Sequence, residues 1–291
     1  MPNSTGLSRS GRLMPELAQL KRLTRPMVGE LIERHGLQPS RALGQNFLCE
    51  PGMVDKIVRL SGVGADDNVI EIGPGLGSLT LGLADTGAHV VAIETDRHLI
   101  PGLHEVLETA GLADRVTVHH ADAMELDWDQ LLDERRWKVV ANLPYNVATP
   151  LVLDLLREQP SLTEWLVMVQ HEAGERLAAG SGSKIYGIPS VLLSYWASAR
   201  VIDTVSNSVF LPRPRVSSAL LKVERHESLP IEAPFDRYAA LVRAGFGQRR
   251  KMLRRSLSAL LSVDEIERAG VAPTDRAENL TPDQWGALAA L

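Results

Sequence analysis

A chain of 291 residues, 44% of them hydrophobic and 23% charged, has the composition of a globular protein able to bury a sizeable core. It contains no apolar run of membrane-spanning length and no apolar leader at its polar N-terminus, and its one cysteine, Cys49, excludes an internal disulfide. The net charge of -5 hides a segregation: fifteen acidic residues against Arg97 and Arg115 over positions 66–134, then seven basic and no acidic residues over 237–263.

Residues 1–24 read as a disordered extension, rich in Ser, Gly and Asn over about the first dozen positions. Thr24-Arg25-Pro26 is a helix start with proline in the first turn, and the helix should stop at Gly36. Ser40-Arg41-Ala42-Leu43-Gly44-Gln45-Asn46-Phe47-Leu48 then forms a loop before a helix. Its two amides could make a polar lip over a ligand, but the residue types fit a packed turn equally well.

Val69-Ile70-Glu71-Ile72 is a short strand running into Gly73-Pro74-Gly75-Leu76-Gly77, with helix from Ser78. Glycines at the carboxyl end of a strand let backbone approach a nucleotide closely. A second strand, from His89, ends in Glu94, at the spacing of a ribose-binding carboxylate, and a third, from Val116, ends in Asp122. Asp122 with Glu125 also reads as a helix capping box. Adjacent His119 and His120 face opposite ways on a strand, and the eight histidines show no ligand spacing, so no metal is expected. The turn suits NAD or S-adenosylmethionine. Gly77, where the dinucleotide pattern has another residue, and Glu71 in the strand favour the latter.

Trp137-Lys138-Val139-Val140-Ala141 is a buried strand leading into Asn142-Leu143-Pro144-Tyr145. Pro144 holds Leu143 extended. The Asn142 side-chain carbonyl and the Leu143 backbone carbonyl then form a pair of acceptors suited to an exocyclic amine, and Tyr145 offers a stacking face. Trp165 to Gln170 is a further strand and His171 to Ala179 a helix. Ser181-Gly182-Ser183-Lys184-Ile185-Tyr186-Gly187 reads as a mobile loop of small residues with one cation and one aromatic, or equally as a plain surface turn. Phe210 stands at the entrance to a proline-stiffened loop around Arg213, where it could stack a base, and Ser217 to Glu224 is the last strand of about seven. After a linker to Pro234, residues 227–291 read as a small helical domain. Its Arg249-Arg250-Lys251 run is placed to grip phosphates, as is Arg213.

The residues themselves therefore describe an α/β chain that transfers a methyl group from S-adenosylmethionine to an amine. The glycine turn, the acid after it and Asn142-Leu143-Pro144-Tyr145 resemble the class I (Rossmann-like) methyltransferases of adenine N6. With Leu43 to Leu48 and Asn146 to Pro150, the chain resembles the ribosomal RNA adenine dimethyltransferases of the KsgA/RsmA type from about residue 25 to its end. The resemblance implies dimethylation of two adjacent adenines in the 3'-terminal hairpin of 16S rRNA. It implies that Asn46 and Leu48 cover the cofactor, Gly73 contacts it, Glu94 holds the ribose and Asp122 the adenine ring, with Gly75 in the same turn. Asn142 would sit between cofactor and target, and Phe210 would face the base. The expected organisation is a methyltransferase domain over 25–226 and an RNA-binding helical domain over 227–291, in a cytoplasmic monomer with 16S rRNA as partner. Open alternatives are a 23S rRNA methyltransferase of the antibiotic-resistance type, a nicotinamide dehydrogenase and a non-catalytic RNA-binding factor.

Overall fold

The computed structural model describes residues 20–40 and 44–291. The expected disordered extension lies outside the described residues up to position 19, and so does Leu43. Leu20 and Leu23, by contrast, are buried with Val28 and Leu31 in one apolar cluster. The strands are β1 (Phe47–Leu48), β2 (Asn68–Ile72), β3 (His89–Glu94), β4 (Val116–His120), β5 (Trp137–Asn142), β6 (Leu162–Gln170), β7 (Ala197–Val205), β8 (Phe210–Leu211) and β9 (Ser218–Arg225). The chain divides into two compact units, one running to Glu125 and including Ser208–Arg213, the other formed by Leu126–Asn207 and Pro214–Leu291.

In the first unit, β2 pairs in parallel with β3, and β3 with β4. Val69, Ile70, Val90 and Ala92 are fully buried, as strands covered by helices on both faces require. Helices α1 (Arg25–Arg34), α2 (Pro51–Ser61), α3 (Ser78–Asp85) and α4 (Ile100–Ala110) provide that cover and the crossovers. The register aligns Ile72 with Ile93 and Ile93 with His119, so the residues after all three strands emerge at one level. Away from this sheet, β1 and β8 pair antiparallel, setting Leu48 opposite Phe210.

In the second unit, β5 and β6 are parallel, and β9 runs antiparallel between β6 and β7. These four strands and the three parallel ones make up the seven expected of the α/β class. Helices α5 (Trp128–Leu131), α6 (Ala148–Glu158), α7 (His171–Leu177) and α8 (Ile188–Trp196) connect them. α8 and β7 were not anticipated. The run from Ile188 to Trp196 is apolar all round because it is packed on several sides, which erases the helical period. α9 (Phe235–Gly247), α10 (Leu253–Ser256), α11 (Val263–Arg268) and α12 (Pro282–Ala289) follow the last strand. They share one core with α8, where Tyr195 Oη donates to the Ala233 carbonyl at 2.7 Å and Tyr238 Oη to that of Val191 at 3.1 Å. Gly245 lets α9 approach α12, since a Cβ there would stand 2.5 Å from the Trp285 ring.

Candidate active site

The sheet of the first unit delivers the glycine turn to Glu94. Gly75 has φ +59° and Gly77 φ +88°, and added Cβ atoms would lie 3.0 Å from the Phe47 ring and 2.7 Å from Leu103. Only glycine fits such a turn. The Gly75 N–H donates to Glu94 Oε2 at 3.0 Å and the Asp96 N–H to Oε1 at 2.9 Å. The carboxylate is thereby fixed at the strand end, with acceptor capacity left on both oxygens. Burial pushes the Glu94 carboxyl up from its ordinary value, and those two backbone bonds oppose the shift. Gly73 N–H donates to the Ile93 carbonyl at 2.9 Å, and Ala121 N–H to the Glu94 carbonyl at 3.1 Å. The first unit thus gathers Gly73, Gly75 and Glu94, with Asp122 following directly on Ala121.

Asp122 is exposed, and its Oδ1 accepts from the Met124 N–H at 2.9 Å. The expected capping box is absent: a turn follows, and the next helix begins only at Trp128. Its carboxylate therefore remains at the surface, able to meet a ligand amine. Asn46 Nδ2 donates to the Gly44 carbonyl at 2.9 Å, while Leu48 is buried and its carbonyl accepts from Ser78 Oγ. Gln45 Nε2 donates to Asp96 Oδ2 at 2.7 Å, tying the amide loop to the residue that orients Glu94. A cavity of about 250 Å³ lined by His35, Leu37, Gln45, Phe47, Asp96 and His98 opens there. Gln45 and Asp96 were missed as a pair, because a loop-to-loop hydrogen bond leaves no periodic trace in a sequence.

Glu71 is fully buried in β2, and burial pushes its carboxyl up to about 8. The Thr80 hydroxyl counters part of this and the charge of Glu94 adds to it, yet neither Glu71 Oε2 nor Thr80 Oγ1 has a hydrogen-bond partner among the described residues.

In the second unit, Asn142 ends β5 and the Leu143 N–H continues the ladder to the Met168 carbonyl at 3.0 Å. Pro144 turns the chain, and its carbonyl accepts from the Ala148 N–H at 3.1 Å to open α6. Tyr145 Oη and Ser218 Oγ are 2.6 Å apart, which fixes the ring by its far end. Burial pushes the Tyr145 phenol up, with Ser218 opposing. Ser218, the first residue of β9, was not singled out from sequence, because a contact across 73 positions leaves no local signal. Phe210 is fully buried in the first unit, Arg213 is exposed, and Arg250 and Lys251 are exposed at the end of α9. Arg249 differs from its neighbours: its Nε donates to Glu278 at 2.8 Å and its Nη2 to the Lys184 carbonyl at 2.8 Å. Among the described residues no group of three or more His, Cys, Asp or Glu could hold a metal, and no helix is long and apolar enough to cross a membrane.

Parallel strands with a glycine turn after one and a buried carboxylate after the next define an α/β protein of the nucleoside-cofactor-binding type. Two solved structures share this fold at 24% identity each. One is a dimethyladenosine transferase from Plasmodium falciparum (TM-score 0.73, 83% of this chain and 95% of that chain). The other is the 23S rRNA methyltransferase ErmE (TM-score 0.67, 84% and 98%). The chain itself belongs to the ribosomal RNA adenine dimethylase family, which it matches over residues 37–291. A relative from Leifsonia xyli subsp. xyli, named Ribosomal RNA small subunit methyltransferase A, is 45% identical over 283 residues, covering 94% of this chain and 99% of its own. Another of the same name, from Rhodococcus opacus, is 43% identical over 273 residues, covering 90% and 92%. The protein is accordingly an RNA methyltransferase.

Proposed function

We propose that this chain dimethylates N6 of two adjacent adenines in the 3'-terminal hairpin of 16S rRNA, with S-adenosylmethionine as donor, during assembly of the small subunit. The glycine turn that no Cβ could enter and the fixed Glu94 carboxylate suit a nucleoside cofactor. Asn46, Leu48, Gly73, Gly75, Glu94, Asp122 and Asn142 would hold it. S-adenosylmethionine supplies, when bound, an electrophilic methyl on a sulfonium. The chain's own task is the adenine amine, whose lone pair is delocalised into the ring.

The observation that carries this reading is the Leu143 N–H bond to Met168, which makes the start of the Asn-Leu-Pro-Tyr turn an extension of β5. Carbonyls on so firm a strand end are preorganised acceptors. Those of Asn142 and Leu143 take the N6 hydrogens, two in the first transfer and one in the second, and favour the tetrahedral, positively charged nitrogen that develops. Pro144 keeps Leu143 extended, and Tyr145, pinned through Ser218, stacks the base. The Phe210 ring is fully buried in its own unit and presents no open face to a base. The protonated product is acidic and loses its proton readily, so no strong base is needed. Arg213, Arg250 and Lys251 meet phosphates.

The test is label transfer from methyl-labelled cofactor to small and large ribosomal subunits from cells lacking the enzyme, with mass spectrometry of the RNA. Dimethyladenosine at adjacent positions of 16S rRNA is expected. Label confined to 23S rRNA would instead establish the large-subunit alternative, to which ErmE is related by fold.

A further inference from the structure

The loop at 181–187, rich in small residues and expected to be mobile, is fastened along its length. Gly182 N–H donates to the Glu278 carbonyl at 2.8 Å, and Tyr186 Oη to the Leu280 carbonyl at 3.0 Å. The Tyr186 ring meets Phe246 edge-on at 5.9 Å between centroids. At the centre lies Arg249. Its guanidinium donates to the Glu278 carboxylate and to the Lys184 carbonyl, each at 2.8 Å, and stands 6.0 Å from the centre of the Phe246 ring. One planar fork thus joins three segments of the second unit: the loop, the end of α9 and the turn before α12. Meanwhile the side chains of Lys184, Ile185, Arg250 and Lys251 are exposed, and the three cations make no ion pair among the described residues.

A basic run is ordinarily counted as so many phosphate contacts, but these cations are not equivalent. An arginine whose donors already serve a carboxylate and a carbonyl has less to offer a phosphate than an unengaged neighbour. The loop's backbone is meanwhile held while its lysine is presented to solvent. We propose that Arg249 is a positioning residue, a strap that holds the 181–187 loop so that Lys184 contacts the RNA backbone together with Arg250 and Lys251. This rests on the functional reading above and adds to it a contact residue, Lys184, and a distinct role for Arg249.

The experiment is a double-mutant cycle on binding to unmethylated small ribosomal subunits, measured across salt concentrations. Lys184→Gln should lower the slope of log K against log salt by roughly 0.7 to 0.9, the share of one phosphate contact. Arg249→Lys preserves the charge but cannot serve both acceptors of the fork. It should produce a similar loss, speed hydrogen exchange at the Gly182 amide, and leave the double variant no weaker than either single one. Glu278→Ala cuts the strap from its other side and should behave as Arg249→Lys does, keeping the test open if that variant folds poorly. Wild-type binding by Arg249→Lys, or losses that add in the double variant, would overturn the strap while leaving the function intact. Failure of the wild-type protein itself to bind the subunit would overturn both.

Discussion

Asn142 stands where turnover and cofactor affinity can be separated. An acceptor that strengthens its hold on the amine as charge develops acts in the transition state, so its loss should appear in kcat. We expect Asn142→Ala to cut turnover by about a hundredfold and to leave the dissociation constant for S-adenosylhomocysteine within about twofold. Equilibrium titration beside single-turnover kinetics checks this, and a parallel fall in both would make Asn142 a cofactor residue first. Tyr145 and Ser218 show how a residue's role can rest on a partner far along the chain: the 2.6 Å contact spans 73 positions. Ser218 is buried at a strand start, with nothing in its neighbours to reveal what it holds.

Among the elements, β2 carries a cost that pH can read. Glu71 keeps its proton in the folded chain to about pH 8, whereas the unfolded chain releases it near 4.5. Between those values the folded state binds more protons, so this group's stabilising share is complete below about 4.5 and is lost as pH rises through 8. The slope approaches about 1.4 kcal/mol per pH unit inside the window. Glu71→Gln should therefore lose less stability than wild type in denaturant melts between pH 5 and pH 8. Glu94, shifted the same way, stays in both proteins, so parallel pH curves would show that Glu71 does not set the slope. The strands carrying the glycine turn and Glu94 were legible because parallel, doubly covered strands read as continuous apolar runs, whereas β4 before Asp122 is half-exposed and was legible from its β-branched residues. The helix inferred after Asp122 was not formed, since a side chain that can cap a helix can equally close a turn. The change from α8 to β7 passes between Trp196 and Ala197 with no glycine or proline to mark it. Nor does sequence order reveal that β9 inserts beside β6, because only the register settles that. Arg249 looked like its two neighbours because a tripeptide of like charges carries no sign of which side chain is already engaged.

For the whole molecule, a net charge of -5 conceals an acidic stretch over 66–134, which includes the ends of β2, β3 and β4, and a basic stretch over α9 and α10. Binding of either ligand class should then register differently. RNA affinity should fall steeply with salt, since phosphate contacts release counterions. On the proposed reading the cofactor is held by hydrogen bonds to groups such as Glu94, itself fixed by two backbone N–H donors, and its binding should be nearly indifferent to salt. A ligand that binds only the folded chain at a hundred times its Kd adds about 2.7 kcal/mol. In a protein of this size that corresponds to a rise in Tm on the order of 5 °C. S-adenosylhomocysteine should produce that rise at both 0.05 M and 0.5 M salt, and NAD should produce none, with differential scanning calorimetry as the readout. Glu94→Ala should abolish the shift, because the ribose hydroxyls lose their acceptor. Stabilisation by NAD equal to that by S-adenosylhomocysteine would mean that the glycine turn reads only a nucleoside. The methyl-donor specificity would then have to come from residues outside the turn.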